Sequence, residues 1–512
     1  MYIEPNSQVR LLSGVPLDDT YDHTIYFADA TAQYNYFSSK VKQSFNNVSY
    51  ARAERGVIRL EGTADDYYDC NYIMFQNTSF GSKWFYAFIK KAPEYVSNNV
   101  FRIEFEIDDM QTWMFNYQLD QCFVVREHSV SDVIGDNLQS EPVTLGDIKC
   151  VQTAKSGHMQ SYAVIMCEAV GTSDSFTAYQ SGLFTGCKYT AWLVDTPEDV
   201  EALKTHLQTA VDGNLVDRIV GLTMMPTEFV STTSLPAVQV SSVTKPTTID
   251  GYTPKNNKLF TYPYNFLNVD AGNSDANYHY EWFADNENDT CNFEMIGTTT
   301  TNPQIILVPQ GYNGVLSDEF NYSEKLTMSG FPQCAFSIDS FRAWLATEAA
   351  SDIASLAGGY ITAEMGMEGA LAQGLSPYEG MSVGNITGQA TQSLNIVQKI
   401  TKPPQAKGSN SGSVDVASRT KDFYFRRMQI TSDYAKAIDN FFSRFGYATN
   451  KLKVPNTHSR PHWNYVKTNG CTITGSIPTD SAKRICSIYN NGITFWKNGN
   501  EIGNYSLDNS PS

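Results

Sequence analysis

Across residues 101–108 the side chains alternate without a break: Phe101, Ile103, Phe105 and Ile107 are apolar, while Arg102, Glu104, Glu106 and Asp108 are charged. Successive residues of a strand point to opposite faces, so this period of two sets one apolar face against a core and leaves the other face charged. A helix would spread both classes around its circumference. Related runs, among them Val57-Ile58-Arg59-Leu60-Glu61 and Tyr72-Ile73-Met74-Phe75, recur between residues 33 and 128. With 30 Tyr and 28 Phe in 512 residues, strands are favoured along most of the chain. The fold expected is mainly β with some α (α+β), in several domains.

The pattern shifts along the chain and divides it into five segments: 1–140, β-rich; 141–235, containing both α and β; 236–342, short strands and loops; 343–413, an insertion and linker; and 414–512, ordered again. In the second segment, residues 162–170 and 189–194 read as buried strands and 195–213 as a helix. Asp195 is the expected cap with Glu198 three residues on, Val200, Leu203, Leu207 and Val211 form a stripe, and Gly213 ends it. In the last segment Ser432 is the expected cap of a helix carrying Tyr434, Ile438, Phe441, Phe442 and Phe445 and ending at Gly446. Short strands at 465–466, 471–474 and 493–496 are expected to follow, with turns at Asn469-Gly470, Asn491-Gly492 and Asn498-Gly499.

Composition excludes several roles. The formal charge of −17 opposes a protein that grips nucleic acid, since that affinity comes from Lys and Arg displacing counterions. The nine cysteines are scattered and lack any C-x-x-C pair, so neither a disulfide framework nor a zinc site is indicated. Residues 1–12 have no basic stretch followed by an apolar run, and synthesis in a cytoplasm without a signal peptide is the expectation. Signatures of metallohydrolases, phosphate-binding loops and serine hydrolases are absent. The only His pair at ligand-like spacing, His458 and His462, has Pro461 between its members, which opposes the helical turn needed to aim both at one metal. Glu104 and Glu106 have the spacing of a carboxylate pair, but alternation on a half-buried strand explains them equally. No enzyme activity, metal or cofactor is expected.

Residues 343–398 are compositionally foreign: rich in Gly, Ala and Met, without Lys or Arg, and interrupted by Glu364, Glu368 and Glu379 before any run long enough to span a bilayer. Ile353, Leu356, Ile361, Met365, Met367, Leu371, Leu375, Met381, Val383 and Ile386 are apolar enough to associate with one another or with lipid. The glutamates become lipid-compatible on protonation. A disordered surface loop is the alternative reading.

Two groups of residues go beyond composition. The first comprises Asn71-Tyr72-Ile73-Met74-Phe75-Gln76-Asn77, Gly81-Ser82-Lys83-Trp84-Phe85-Tyr86-Ala87-Phe88, Gln111-Thr112-Trp113-Met114-Phe115 and Val125-Arg126-Glu127-His128. The second comprises Phe441-Phe442-Ser443-Arg444-Phe445-Gly446-Tyr447, Pro455-Asn456, Trp463-Asn464-Tyr465-Val466, Asn491-Gly492-Ile493-Thr494-Phe495-Trp496 and Ile502-Gly503-Asn504-Tyr505-Ser506. In both, the chain resembles the tail knob proteins of small short-tailed bacteriophages, over residues 7–130 and 419–507.

The resemblance implies a virion protein of the distal tail, a homohexameric ring whose tail-tube-like β-sandwich or barrel wall is built jointly from N- and C-terminal parts. It implies contact with the proximal tail or lower collar protein, passage of phage DNA, and hydrophobic loops that plug the lumen and then act on the host membrane. Residues 343–398 occupy the position of those loops. The charged faces of Glu104, Glu106 and Asp108 are assigned here to an acidic lumen that repels DNA. The rival reading is a tail-borne binder of host carbohydrate or a wall-degrading enzyme, and a pocket where aromatics and carboxylates converge would favour it.

Overall fold

The computed structural model describes residues 6–48, 56–78, 81, 83–157, 162–169, 187–193, 196–215, 218–230, 238–272, 274–284, 289–298, 303–310, 325–329, 331, 333–334 and 422–511. Two compact units divide the chain. Unit one combines Met1–Thr144, Tyr252–Leu259 and Ser432–Ser512, and unit two combines Leu145–Gly251 and Phe260–Thr431.

Unit one contains, in chain order, β1 (Ser7–Ser13), β2 (His23–Ile25), α1 (Ala30–Ser38), β3 (Val41–Val48), β4 (Val57–Glu61), β5 (Cys70–Asn77), β6 (Phe85–Ile89), β7 (Glu94–Ser97), β8 (Val100–Ile107), α2 (Asp109–Trp113), β9 (Tyr117–Leu119) and β10 (Cys122–Glu127). After the unit-two residues come α3 (Ser432–Phe445), β11 (Tyr447–Lys453), β12 (Trp463–Asn469), β13 (Ile473–Gly475), α4 (Thr479–Asn491) and β14 (Ile493–Trp496). A seven-stranded antiparallel sheet runs β3-β1-β5-β6-β8-β4, with β7 also on β8. The alternation at 101–107 works as expected: Phe101, Ile103 and Phe105 are buried with Val9, Leu11, Ile58, Leu60 and Ile73. On the other face of the same sheet, Leu12, Tyr72, Met74, Tyr86 and Phe88 pack around Phe37. Strand β5 is therefore covered on both sides, which is why residues 72–75 form an unbroken apolar run.

Phe37 sits on a helix, not on a strand as the alternation from residue 33 suggested. Asp29 starts α1 by accepting from the Ala32 amide at 2.8 Å, and the turn it nucleates lays Phe37 flat on Tyr72, centroids 5.2 Å apart.

A second sheet runs β2-β14-β12-β10-β11, with β2 and β14 parallel and the other pairs antiparallel. The N-terminal strand β10 lies between two C-terminal strands, and β9 pairs with β13. N- and C-terminal segments thus build one unit together. Helix α3 matches the expected stretch, but Ala435, Ile438, Asp439 and Phe442 form its buried face and Tyr434 is exposed. Helix α4 replaces the turn expected at Asn491-Gly492, which is instead the helix end: the Gly492 amide donates to the Ile488 carbonyl. Ile485, Ile488 and Tyr489 are its buried stripe.

Among the described residues, unit two holds three four-stranded sheets. In one, Tyr424–Ile430 pairs on either side with Ile148–Lys155 and Asn265–Asp270. In another, Cys187–Leu193 and Ile219–Pro226 flank Tyr162–Ala169, antiparallel to both. The helix Pro197–Asp212 joins the two strands that flank Tyr162–Ala169 and buries Val200, Leu203, Leu207 and Val211 as the stripe predicted. Its cap lies one residue later than Asp195: Thr196 and Asp199 form a reciprocal capping box, each side chain accepting from the other's amide at 3.2 Å. One core, including Leu203, Leu222, Leu267, Phe293 and Phe425, runs through unit two.

Candidate functional site: a charged strand face and the cleft beside it

The alternating strand lifts Arg102, Glu104 and Glu106 to the half-exposed side of β8, where cross-strand neighbours and α4 supply cations. Arg102 Nε lies 2.9 Å from Glu94, Lys91 2.9 Å from Glu104, Lys90 3.4 Å from Glu106, and Arg484 of α4 3.0 Å from Glu106. The face that reads as acidic in one strand is a lattice of paired charges in three dimensions. The Lys91 ammonium holds the Glu104 carboxyl below its ordinary range.

Asp108 does not belong to this face, contrary to its assignment from the alternation. It follows the end of β8, is 1% exposed, and caps α2 by accepting from the Gln111 amide at 3.0 Å, while Tyr72 Oη donates to its other oxygen at 2.8 Å. The chain turns into α2 at this point, so the period of two no longer applies. Burial pushes its carboxyl up to about 7, against the opposing hydrogen bonds. A side chain so enclosed cannot line an aqueous channel.

Beside Glu104 and Glu106 lies a cleft of about 960 Å³, entirely within unit one. Phe75, Phe85, Phe105 and Trp113 line its apolar side. Phe75 stacks on Phe85 at 5.5 Å, and Trp113 meets Phe85 edge-on at 6.0 Å. Around them stand Lys90, Glu104, Glu106 and Asp109, with Asp480, Lys483 and Arg484 arriving from α4. The helix was missed in the sequence reading, and the cleft with it. The signal that could have revealed it is the i, i+3, i+4 spacing of Ile485, Ile488 and Tyr489 after Asp480 in the first turn.

The Val125-Arg126-Glu127-His128 block has a structural role. Arg126 donates to the Gly446 carbonyl at 2.6 Å and pairs with buried Glu141, which also accepts from Lys258 at 2.6 Å and from the Ala448 amide at 2.7 Å. Glu127 accepts from the Asn456 amide at 2.9 Å and pairs with Lys453. His128 Nδ1 accepts from the Tyr465 amide at 2.8 Å, so Nε2 carries the proton and donates to the Ser443 carbonyl at 3.1 Å. Burial, reinforced by Arg460, lowers the imidazole to about 3 and keeps it neutral. Gly446 belongs to the same weld: its φ is +67°, and a Cβ there would sit 2.1 Å from the Glu127 carbonyl oxygen. A further buried carboxylate, Asp439, accepts from Tyr252 Oη at 2.7 Å and from the Lys255 and Asn256 amides at 2.8 and 3.0 Å, fastening residues 252–259 to α3.

The two histidines considered as ligands part company. His458 stacks on Tyr26, and His462 Nδ1 lies 2.8 Å from Glu501. Among the described residues no group of His, Cys, Asp or Glu is arranged to hold a metal. The ten apolar residues of the insertion, Ile353 to Ile386, lie outside the described residues.

A family model described as the C-terminal domain of the Bacillus phage phi29 tail knob protein gp9 matches residues 231–510. The chain belongs to this tail knob family. A second model, the caudoviral major tail protein N-terminus, matches residues 5–118, which hold the first group of recognisable residues except Val125-Arg126-Glu127-His128. The chain is 25% identical to the tail knob protein gp9 of Bacillus phage PZA and 24% identical to that of phi29, with 98% of each chain covered in both cases. The solved structure of the bacteriophage C1 tail knob protein gp12 shares the fold, with a TM-score of 0.61 at 14% identity over 98% of this chain and 99% of that one. The tail knob resemblance and the multidomain, mainly β fold are thereby borne out. The protein is a structural component of a phage tail, made in the host cell, and assembles with other tail proteins.

Proposed function

We propose that this tail knob protein forms a homohexameric distal tube that conducts DNA during genome ejection, attached to the proximal tail or lower collar protein. The observation that carries the reading is the interleaving of β10 between β12 and β11, which makes one wall unit from both ends of the sequence. The rest of the chain then departs from that wall and returns to it. In this reading the 343–398 insertion plugs the lumen at rest and acts on the host membrane after release. The net charge of −17 supports passage rather than retention of DNA. Glu104 and Glu106 remain candidates for a lumen-facing position, although their pairing with Lys90, Lys91 and Arg484 softens the field they present. An enzymatic role finds little support, because the charged pair on β8 is neutralised by cations.

Dye leakage from liposomes tests the membrane step, using the full-length protein and a variant lacking 343–398, each confirmed as the same ring by electron microscopy. Leakage by the full-length ring alone, stronger at acidic pH where Glu364, Glu368 and Glu379 are protonated, is the expected result. Equal leakage from both rings would remove the insertion from the mechanism.

A further inference from the structure

The cleft between β8 and α4 has a composition that neither a tube wall nor a DNA channel calls for. Its volume of about 960 Å³ stands at the upper end of the roughly 300 to 1,000 Å³ typical of small-molecule sites. One side is aromatic, with Phe75, Phe85 and Trp113 half-buried and braced ring against ring. The other side is polar and close to electrically balanced, since Lys90, Lys483 and Arg484 face Glu104, Glu106, Asp109 and Asp480. Several of these charges already satisfy one another: Arg484 lies 3.0 Å from Glu106 and 3.5 Å from Asp109.

This balance selects the occupant. A polyanion such as DNA needs a surplus of cations, and a basic segment needs a surplus of free carboxylates; the cleft offers neither. A purely apolar partner would strand the charged rim without water. A neutral saccharide meets both sides, laying its C–H groups against the ring faces left open by the Phe75–Phe85 stack and by Lys83, 3.6 Å from the Trp113 ring centre, and its hydroxyls among carboxylates and cations that can accept or donate further hydrogen bonds. We infer that the β8–α4 cleft is a binding site for a neutral oligosaccharide. This goes beyond the proposed tube function and competes only with the lumen-facing position of Glu104 and Glu106, which line the cleft.

The same geometry argues for binding without cleavage. A glycosidase requires one carboxyl kept protonated near neutral pH to act as general acid. Lys91 holds Glu104 ionised, and Glu106 lies between Lys90 and Arg484. The carboxyls that burial raises, Asp108, Asp132 and Glu281, are not among the lining residues.

The test uses the full-length protein in its assembled state, probed by saturation-transfer NMR and calorimetry with the tetrasaccharides of N-acetylglucosamine and of glucose, and with tetragalacturonate as the charged control. Binding of at least one neutral tetrasaccharide is expected, with magnetisation transfer to the sugar C–H protons, no binding of tetragalacturonate, and affinity lowered at least tenfold in Phe85→Leu and in Arg484→Ala. Asp480→Ala, exposed in the first turn of α4, gives a third variant with little reason to misfold, and thermal melting certifies all three. The inference is overturned if neither neutral sugar binds, if binding is indifferent to all folded variants, if the charged sugar binds better, or if a map of the assembly places a neighbouring subunit inside the cleft.

Discussion

At the residue scale, buried ionisable groups carry the most informative consequences. Asp108 has its carboxyl raised to about 7 in the folded protein from an ordinary value near 3.8. The folded state therefore holds a proton that the unfolded state has released between those values, and the stability this confers is lost as pH rises through 7. His128 acts in the opposite sense: lowered to about 3, it withdraws stability as pH falls below its ordinary 6.5. Comparison with Asp108→Asn isolates the first effect, because His128 is common to both proteins. Relative to that variant, the parent should lose on the order of 2 to 4 kcal/mol between pH 4 and pH 8, read from denaturant midpoints. A constant difference across that range would contradict the burial argument. Glu141 presents a different case. Its carboxylate is the shared partner of Arg126 and Lys258, both nearly inaccessible. A buried pair contributes little net stability, but removing one member leaves uncompensated charge, so Glu141→Gln is expected to cost about 3 to 5 kcal/mol in chemical unfolding.

Elements were legible in the sequence where a single period governed them. The run at 101–107 reads as a strand because one face meets a core, and the stripe Val200, Leu203, Leu207, Val211 reads as a helix for the same reason. Legibility failed where the deciding contact comes from elsewhere. Residues 33–38 alternate like a strand, yet the cap at Asp29 and the stacking of Phe37 on Tyr72 impose a helix. Helix α4 went unread because its polar face, Asp480, Lys483 and Arg484, masks a short apolar stripe. The charged cleft was invisible for the related reason that β8 and α4 are separated by hundreds of residues: Arg484 and Glu106 are 378 positions apart. The junction of α3 and β11 offers an element-scale check. Gly446→Ala forces a side chain into a left-handed backbone and against the Glu127 carbonyl. Since both partners there are backbone and cannot rotate aside, the variant should lose several kcal/mol or fail to fold, measured by thermal melting alongside Tyr434→Ala, an exposed control on the same helix.

At the scale of the whole molecule, family membership was readable from ordered blocks such as residues 71–77 and 125–128, whose side chains turn out to be core and weld rather than catalytic machinery. The described residues place the recognisable blocks in the unit that both ends of the chain build. This interleaving has a further consequence during synthesis. Strand β10 must wait for β11 and β12, and its contact from Arg126 to Gly446 spans 320 positions. At about 5 to 20 residues per second a ribosome takes roughly 15 to 60 s to cover that interval. Throughout it the emerging chain carries strand edges without partners, and a polypeptide released early never closes the sheet. Translation thus sets the order of closure: only a chain that has been made past β12 can pair both edges of β10.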